Sequence, residues 1–595
     1  MAHFTLTVDS NPDRRLQFIA QAGKQLSCLD GLDLKQAENH ELAIIWAKAP
    51  LAPSSFHVDE KAFGLLLGYS VDDAGQWLDS RALQSIWTGE TPRDKRLGGY
   101  FAALTYSPAH GLILGGDLLG FFPLYYAEAD GALLASSSPE LIAAHPAFKA
   151  ELDFRGLTGI FLTNGLVNGH ALVRGIKRLK HGHHLVWNRR QGAVEKEIFQ
   201  FVATDSLPSC SPEEARELAD TELLRAIRWH RPPHSASTLM LSGGLDSRLM
   251  AGYLSAEGIT RDAVCLGRRT DFEVQVGGRV AAALAMNVHR ETHELEPDGF
   301  ARDAHQLARF EHLSGGFGFL EANASARVVA QSAPMFWSGF ALEDVLGGDA
   351  MGFGLDPKTR VWSFEHLLSR LNEWAVPVRL LPSLLRTGDA REVIREQIAA
   401  LEQQYAQGPE TEARRCMRLK LFTRARFHVG QTVHRLAFGS WPLLPILDRR
   451  LLEKQFSIPT AVMMNRQLQR NMLTHRFPEL ARIPREHNSF RFEPLRQTRF
   501  ADLATALETR IRKRYWRWRG EEPRRYFRCF DLNSPLWKAV RADAEKNLAR
   551  LDPWLDRKAL AALPWPAPEK LRNNPFTAGA TQRLIFGLAL WAARK

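Results

Sequence analysis

The sequence predicts two folds in series. Residues 1–202 read as an α+β, sheet-rich domain. Residues 213–595 read as an α/β domain with a parallel sheet and a helical C-terminal extension. Three observations carry this reading. Short apolar runs fill the first 200 residues, with glycine and proline turns about every 8–12 residues, the rhythm of successive strands. A polar, proline-containing stretch, Ala203–Pro212, then reads as a linker. Beyond it strands and helices alternate, the pattern that builds a parallel sheet covered by helices.

The elements follow in order. Tyr100–Tyr106, Gly111–Asp117, Gly120–Tyr126 and Gly131–Ser137 are strand-like. In the second half, Thr238-Leu239-Met240-Leu241 reads as a buried parallel strand, and Arg248–Leu254 as a helix after a glycine turn. Asp262–Gly267 reads as the neighbouring strand, Gly278–Met286 as a helix, and residues 360–440 as largely helical.

Composition narrows the function classes. Hydrophobic content of 45% and charged content of 24% are those of an ordinary globular protein. No apolar run reaches about 18 residues, so no membrane span is expected. The start, Met1-Ala2-His3-Phe4-Thr5-Leu6-Thr7, lacks the basic and apolar regions of a signal peptide. Cys28, Cys210, Cys265, Cys416 and Cys529 are dispersed, which argues against a disulfide framework or zinc cluster and predicts a cytoplasmic protein. The net charge is +11. Much of the surplus lies in Arg510–Arg519, where arginines interleave with Tyr515, Trp516 and Trp518. That stretch reads either as a helix with a solvated basic face and aromatics packed inward, or as a surface for nucleic acid or an anionic polymer. No specific nucleic-acid partner is expected.

Between the strand and the helix lies Ser242-Gly243-Gly244-Leu245-Asp246-Ser247. A strand that turns through glycines into a helix N-terminus gathers backbone N–H groups at an anion site. The six residues resemble the pyrophosphate loop of ATP pyrophosphatases, enzymes that split ATP into AMP and pyrophosphate. Asp246 suits such a loop when Mg²⁺ lies between it and the phosphates. The order of the whole chain resembles the glutamine-dependent asparagine synthetase family, with an N-terminal glutaminase-like domain of the Ntn-hydrolase type before an ATP-pyrophosphatase domain. Gly98–Ala102, Gly116–Gly120, Pro123–Tyr126, Ser136–Glu140 and Gly175–His183 carry the N-terminal part of the likeness.

The resemblance implies further site residues. Trp337–Gly348 is similar to the family's acidic glycine-bounded loop, with Glu343-Asp344 where the family has Asp-Glu and Phe340 at a position the family makes acidic. It implies Asp246 and Glu343 as Mg²⁺ ligands, Glu343 and Asp344 as catalytic acids, and Gly339 at the nucleotide. ATP is expected against Leu241, Ser242, Gly243, Gly244, Leu245, Asp246 and Ser247, with adenine near Leu266 and Gly267 at the ends of the strands. Trp441–Glu453 and Arg466–Arg470 continue the resemblance. Arg466 falls where the family has a catalytic lysine, and Arg470 becomes a phosphate contact. Arginine holds phosphate oxygens but is a poor proton donor. As surface charges both arginines have an equally plain explanation. Lys454 is the alternative lysine, the one between Lys420 and Lys513.

Position 2 departs from the family. Active glutaminases of this type expose a cysteine there, and this chain has Ala2. A methyl group cannot attack an amide. The expectation is an inactive glutaminase domain and an ATP- and Mg²⁺-dependent ligase that couples a carboxylate to an amine whose source is not glutamine. β-Lactam synthetases and lasso-peptide macrolactam synthetases are altered in this way. The expected partner is a carboxylate- and amine-bearing substrate, either a precursor peptide with its leader peptidase or a glycan. An ammonia-dependent asparagine synthetase and a non-catalytic scaffold are the competing readings.

Overall fold

Strand β1 (Ala2–Val8) alternates Phe4, Leu6 and Val8 with His3, Thr5 and Thr7, and all six are buried, so both faces of its sheet must be covered. The structure, a computed structural model, describes residues 2–59, 62–87, 97–200, 210–269, 271–291, 295–347, 363–407, 411–463, 466–484, 499–519, 530–573 and 576–593. Beside β1 run β2 (Asp33–Asn39), β3 (Leu42–Lys48), β10 (Tyr125–Ala129), β11 (Ala132–Ser136) and β12 (Lys177–Arg178), in the antiparallel order β12-β10-β11-β1-β3-β2. A second antiparallel sheet has the order β14-β13-β9-β8-β5-β4, made of β4 (Ser54–Val58), β5 (Phe63–Gly68), β8 (Phe101–Ser107), β9 (Gly111–Gly116), β13 (His183–Asn188) and β14 (Gly192–Glu197). A two-stranded ribbon, β6 (Ser70–Val71) with β7 (Trp77–Leu78), lies apart.

The inner faces of the two large sheets meet in one core, with Leu6, Ile44 and Leu133 against Leu65, Leu104 and Leu185. Helices cover the outer faces. Leu66, Phe101 and Ala103 pack with Leu83 and Trp87 of the helix Ser80–Trp87. Tyr125, Ala127 and Leu134 pack with Leu157, Ile160 and Phe161 of the helix Phe154–Thr163. This α+β sandwich is the fold class expected for the first half.

The second half has a five-stranded sheet in the order β17-β16-β15-β18-β19, parallel throughout. Its strands are β15 (Ser237–Met240), β16 (Asp262–Leu266), β17 (Asn287–Glu291), β18 (Met335–Trp337) and β19 (Trp441–Leu443). The helices Leu245–Ala256 and Phe272–Ala283 connect the first three. The chain steps from β15 through β16 to β17 on one side, then returns to place β18 on the other side of β15. The order reverses between β15 and β18, and at such a switch point the loops leaving the carboxyl ends diverge and open a crevice.

Several sequence expectations need correction. Gly120–Leu124 is not strand. The buried Asp117 carboxylate accepts the N–H groups of Phe121 at 2.9 Å and Phe122 at 2.7 Å, and Pro123 has no N–H, so the segment turns and β10 begins at Tyr125. The helix expected at Gly278–Met286 spans Phe272–Ala283. Gly277 and Gly278 lie inside it because a Cβ on Gly277 would come within 2.9 Å of Cys265 Sγ and 3.1 Å of the Leu241 carbonyl, so glycine lets the helix press on the sheet. The strand expected at Thr238–Leu241 ends at Met240, though Leu241 still donates to the Val264 carbonyl at 2.9 Å. Of the linker Ala203–Pro212, residues 203–209 lie outside the described residues, and Pro212 opens a helix capped by Ser211. The stretch 363–436 is helical for most of its length, as expected, and residues 360–362 lie outside the described residues. Among the described residues no helix is long and apolar enough to cross a membrane.

The Asp117 turn yields a test. Asp117→Ala leaves two buried N–H groups without a partner and is expected to lower stability by about 2–4 kcal/mol in urea denaturation. Burial also raises the Asp117 carboxyl to about 6, against the pull of its two N–H donors. A raised folded-state value means that its contribution is full at low pH and is lost as pH rises through about 6. The parent should therefore lose stability relative to Asp117→Asn between about pH 4 and pH 6. A difference that does not move with pH in that window contradicts the burial argument.

Candidate active site

The loop after β15 is shaped by its small residues. Gly243 has φ +78°, and a Cβ there would meet Val276 Cγ1 at 2.7 Å and the Gly277 nitrogen at 2.9 Å, so glycine alone fits. Ser242 Oγ and Ser247 Oγ hydrogen-bond at 2.9 Å across the loop, and Ser247 Oγ also accepts the Ser242 N–H at 3.2 Å. Gly244 caps the twelve-residue helix Leu245–Ala256 without any side-chain bond, so the first-turn N–H groups point toward the loop. Beneath, the buried Arg248 guanidinium donates to the carbonyls of Gly243 (2.8 Å), Leu480 (3.0 Å), Ile483 (2.7 Å) and Pro484 (3.1 Å). It fastens the loop from behind to a turn more than 230 residues away in sequence.

The second loop leaves β18, the strand adjacent to β15. It turns at Ala341, φ +59°, into the short helix Leu342–Val345. Gly339 lies hard against Asp246: a Cβ would fall 2.9 Å from the Asp246 carbonyl carbon and Cβ. The acids on this helix diverge. Glu343 accepts a hydrogen bond from the Arg466 guanidinium. Asp344 forms a buried ion pair with Lys420, Oδ1 to Nζ 2.6 Å.

The third segment supplies the cations. Arg466 has φ +59°, donates its N–H to the Gly347 carbonyl at 2.9 Å, and starts the helix Gln467–Arg476. Gln469 Nε2 donates to Asp246 Oδ1 at 2.5 Å, and the buried Arg470 donates Nε–H to the Arg466 carbonyl at 3.4 Å. Asp246 feels all of these groups. Burial raises its carboxyl pKa most, and the charge of Asp344 pushes the same way, while Arg466, Gln469 and Lys420 oppose.

Leu241–Ser247, Gly339, Glu343, Asp344, Arg466 and Arg470 thus fall into three contiguous pieces around Asp246. Leu266 ends β16, the neighbouring strand on the side away from β18, and Gly267 follows it with φ +136°. Lys454 sits at an exposed position of the helix Arg449–Ser457, and the lysine brought to the acids is Lys420 instead. Lys420, Gln469 and the bonds of Arg248 are not visible in the motifs. Lys420 ends the helix Glu412–Lys420, where the chain widens into a π-helix, Leu421–Val429, a distortion that often marks functional sites. On that π-helix the buried Arg424 stacks over Trp374, 3.2 Å from the ring centroid, and burial holds its pKa well below the usual arginine value.

The donor set suits Mg²⁺ only with phosphates present. Among the described residues no three His, Cys, Asp or Glu side chains gather as a protein-only metal cage does. Asp246 and Asp344, close enough to act on each other, and Glu343, held by Arg466, match an ion that takes one or two carboxylates and draws its other ligands from water and phosphate.

At the other end of the chain, β1 opens at Ala2. Next to it the buried His3 hydrogen-bonds Ser137 Oγ through Nδ1 at 2.8 Å and stacks on Phe310, and burial lowers its pKa to about 3. The adjoining cavity, about 20 Å³ and lined by Tyr125, Glu311, Gln431 and His434 among others, has room for about one water.

Residues 87–199 match the glutamine amidotransferase domain family. The chain is also 30% identical over 174 residues to asparagine synthetase [glutamine-hydrolyzing] 3 of Bacillus subtilis (strain 168). The chain is thus similar to an asparagine synthetase over part of its length. The match spans 27% of the chain and 27% of the length of that curated relative. Two solved structures align as well: an allosteric regulatory enzyme of purine biosynthesis (10% identity, TM-score 0.23) and glutamine phosphoribosylpyrophosphate amidotransferase from B. subtilis (9% identity, TM-score 0.22). Each alignment covers 49% of this chain and 65% of the other, and scores that low carry no weight for the fold or the site. The antiparallel sandwich and the parallel sheet rest on their own strand pairings.

The contact between Gly339 and Asp246 leaves no room for a methyl group. Gly339→Ala is expected to cost about 1–3 kcal/mol of stability by overpacking. Thermal unfolding of the variant measures it, and a parent-like midpoint contradicts the contact.

Proposed function

We propose that this chain is an ATP-dependent amide-bond synthetase that activates a substrate carboxylate as an acyl-adenylate, releases pyrophosphate, and couples the acyl group to an amine from a source other than glutamine. The observation that carries the reading is positional. The Ser242–Ser247 loop and the Gly339–Asp344 loop leave adjacent parallel strands at the switch point and touch through Gly339 and Asp246. The organisation follows from it: residues 1–202 as a glutaminase-like domain without its nucleophile, and residues 213–595 as the synthetase domain.

In this reading the N–H groups at the start of the helix Leu245–Ala256, with Ser242 and Ser247, bind the pyrophosphate. Adenine lies toward Leu266 and Gly267. Asp246 and Glu343 hold Mg²⁺, with Asp344 beside them, and that ion when bound neutralises the phosphates and polarises their oxygens. An oxygen of the substrate carboxylate attacks the α-phosphorus, and the bond to pyrophosphate breaks. The amine nitrogen then attacks the acyl carbon, AMP leaves with the bonding pair, and the amine gives up a proton. Arg466 and Arg470 stabilise phosphate charge, Arg466 without acting as a proton donor. Asp344 orients Lys420 toward the same space.

Calorimetric titration with Mg·ATP tests the site. The parent is expected to bind, and Asp246→Ala to bind at least about tenfold more weakly with unchanged circular dichroism, since a carboxylate–metal–phosphate link is worth several kcal/mol. Equal binding removes the loop from the site. With a carboxylate that supports turnover, the products should be AMP and pyrophosphate; ADP and phosphate refute the reading.

The Ala2 methyl leads to a second expected outcome: purified protein releases no glutamate from glutamine. Enzyme-dependent release in a coupled glutamate assay overturns it.

A further inference from the structure

The helix Arg499–Arg519 presents an apolar stripe that the synthetase reading does not use. Phe500, Leu503, Leu507, Ile511, Tyr515 and Trp518 recur at spacings of three and four residues, and each is 47–82% exposed. At 3.6 residues per turn these six positions fall within an arc of roughly 120° along a helix roughly 30 Å long. The inward packing of the aromatics, one of two expectations for Arg510–Arg519, does not hold for Tyr515 and Trp518, which face solvent. The same helix carries seven basic residues against two acidic ones, a net charge of +5, and Arg510, Arg514 and Arg519 are exposed.

We propose that this helix is a docking surface for an anionic lipid bilayer and lies in the plane of the headgroups. The charge selects the partner and the stripe selects its depth. The face is aliphatic and aromatic except at Arg514, which falls within its arc, and such a face on a strongly basic helix of low mean hydropathy is the composition that buries its apolar side at the headgroup boundary. Arginines flanking such a stripe keep their heads among anionic headgroups while their stems cover apolar surface. A nucleic acid would use the arginines and stack on the aromatics, but it offers nothing to Leu503, Leu507 and Ile511. A second copy of the chain would set +5 against +5.

The test is co-sedimentation of the full chain with vesicles of phosphatidylcholine alone and of phosphatidylcholine mixed with phosphatidylglycerol. Binding to the mixed vesicles is expected to exceed binding to the neutral ones by at least about tenfold and to weaken with added salt. The double variant Leu507→Glu, Ile511→Glu should lose it at unchanged circular dichroism, because both side chains are exposed. Arg510→Gln with Arg514→Gln should reduce it without abolishing the residual apolar binding. Three results overturn the proposal. The parent ignores both vesicles, whether or not it is retained on heparin or single-stranded DNA. The double glutamate variant binds like the parent. Or the parent is a dimer in light scattering that the glutamate variant dissociates, with no vesicle binding by either.

Discussion

The second half of the molecule is organised around one steric constraint, the closeness of Gly339 to Asp246. Two loops must diverge from neighbouring parallel strands and still touch at one point, and the touch requires a residue without a Cβ. Charged groups gather around Asp246 beside that contact. Asp344 follows Gly339 by five residues, Lys420 reaches Asp344, and Arg466 reaches Glu343. The result is an alternation of carboxylates and cations in a partly dry crevice, where each charge is costly alone and tolerable beside its partner.

The two halves are joined by polar as well as apolar contacts. Tyr69 of the sandwich hydrogen-bonds His230 at 2.9 Å, and His230 and Arg225 both engage Asp448, just after β19. These charges hold the Asp448 carboxyl at about 2, although burial alone would raise it. Trp441 of β19 donates its indole N–H to the Tyr100 carbonyl at 3.1 Å, and Gly68 leaves room for its ring.

How much was legible in the sequence depends on how local each cause is. The strand, glycine turn and helix around Ser242–Ser247 were visible because the motif and its periodicity lie within about twenty residues. The sandwich strands were visible except at Gly120–Leu124, where a side chain competes with the sheet for backbone N–H groups and apolar content misleads. Phe272 was missed as a helix start because the glycine pair at 277–278 looks like a boundary until the sheet pressing on it is known. Lys420 could not be found by motif: its partner Asp344 lies 420 − 344 = 76 residues away, and nothing in an arginine-rich segment distinguishes one lysine. Nor could exposure be read from Tyr515 and Trp518, since amphipathic spacing is the same whether the apolar face meets the core or the solvent.

The shared interior ties the first half of the molecule to the second. Phe4, Tyr69, Tyr100 and Leu104 of the sandwich belong to the same hydrophobic core as Leu239, Trp337, Trp441 and Leu447 of the parallel sheet. Removing the first half would bare that seam and leave Asp448 and His230 beside a void. The sandwich therefore serves as part of the folding unit of its neighbour, and the two should melt as one cooperative body. Selection on the fold of the second half alone is then enough to retain the first.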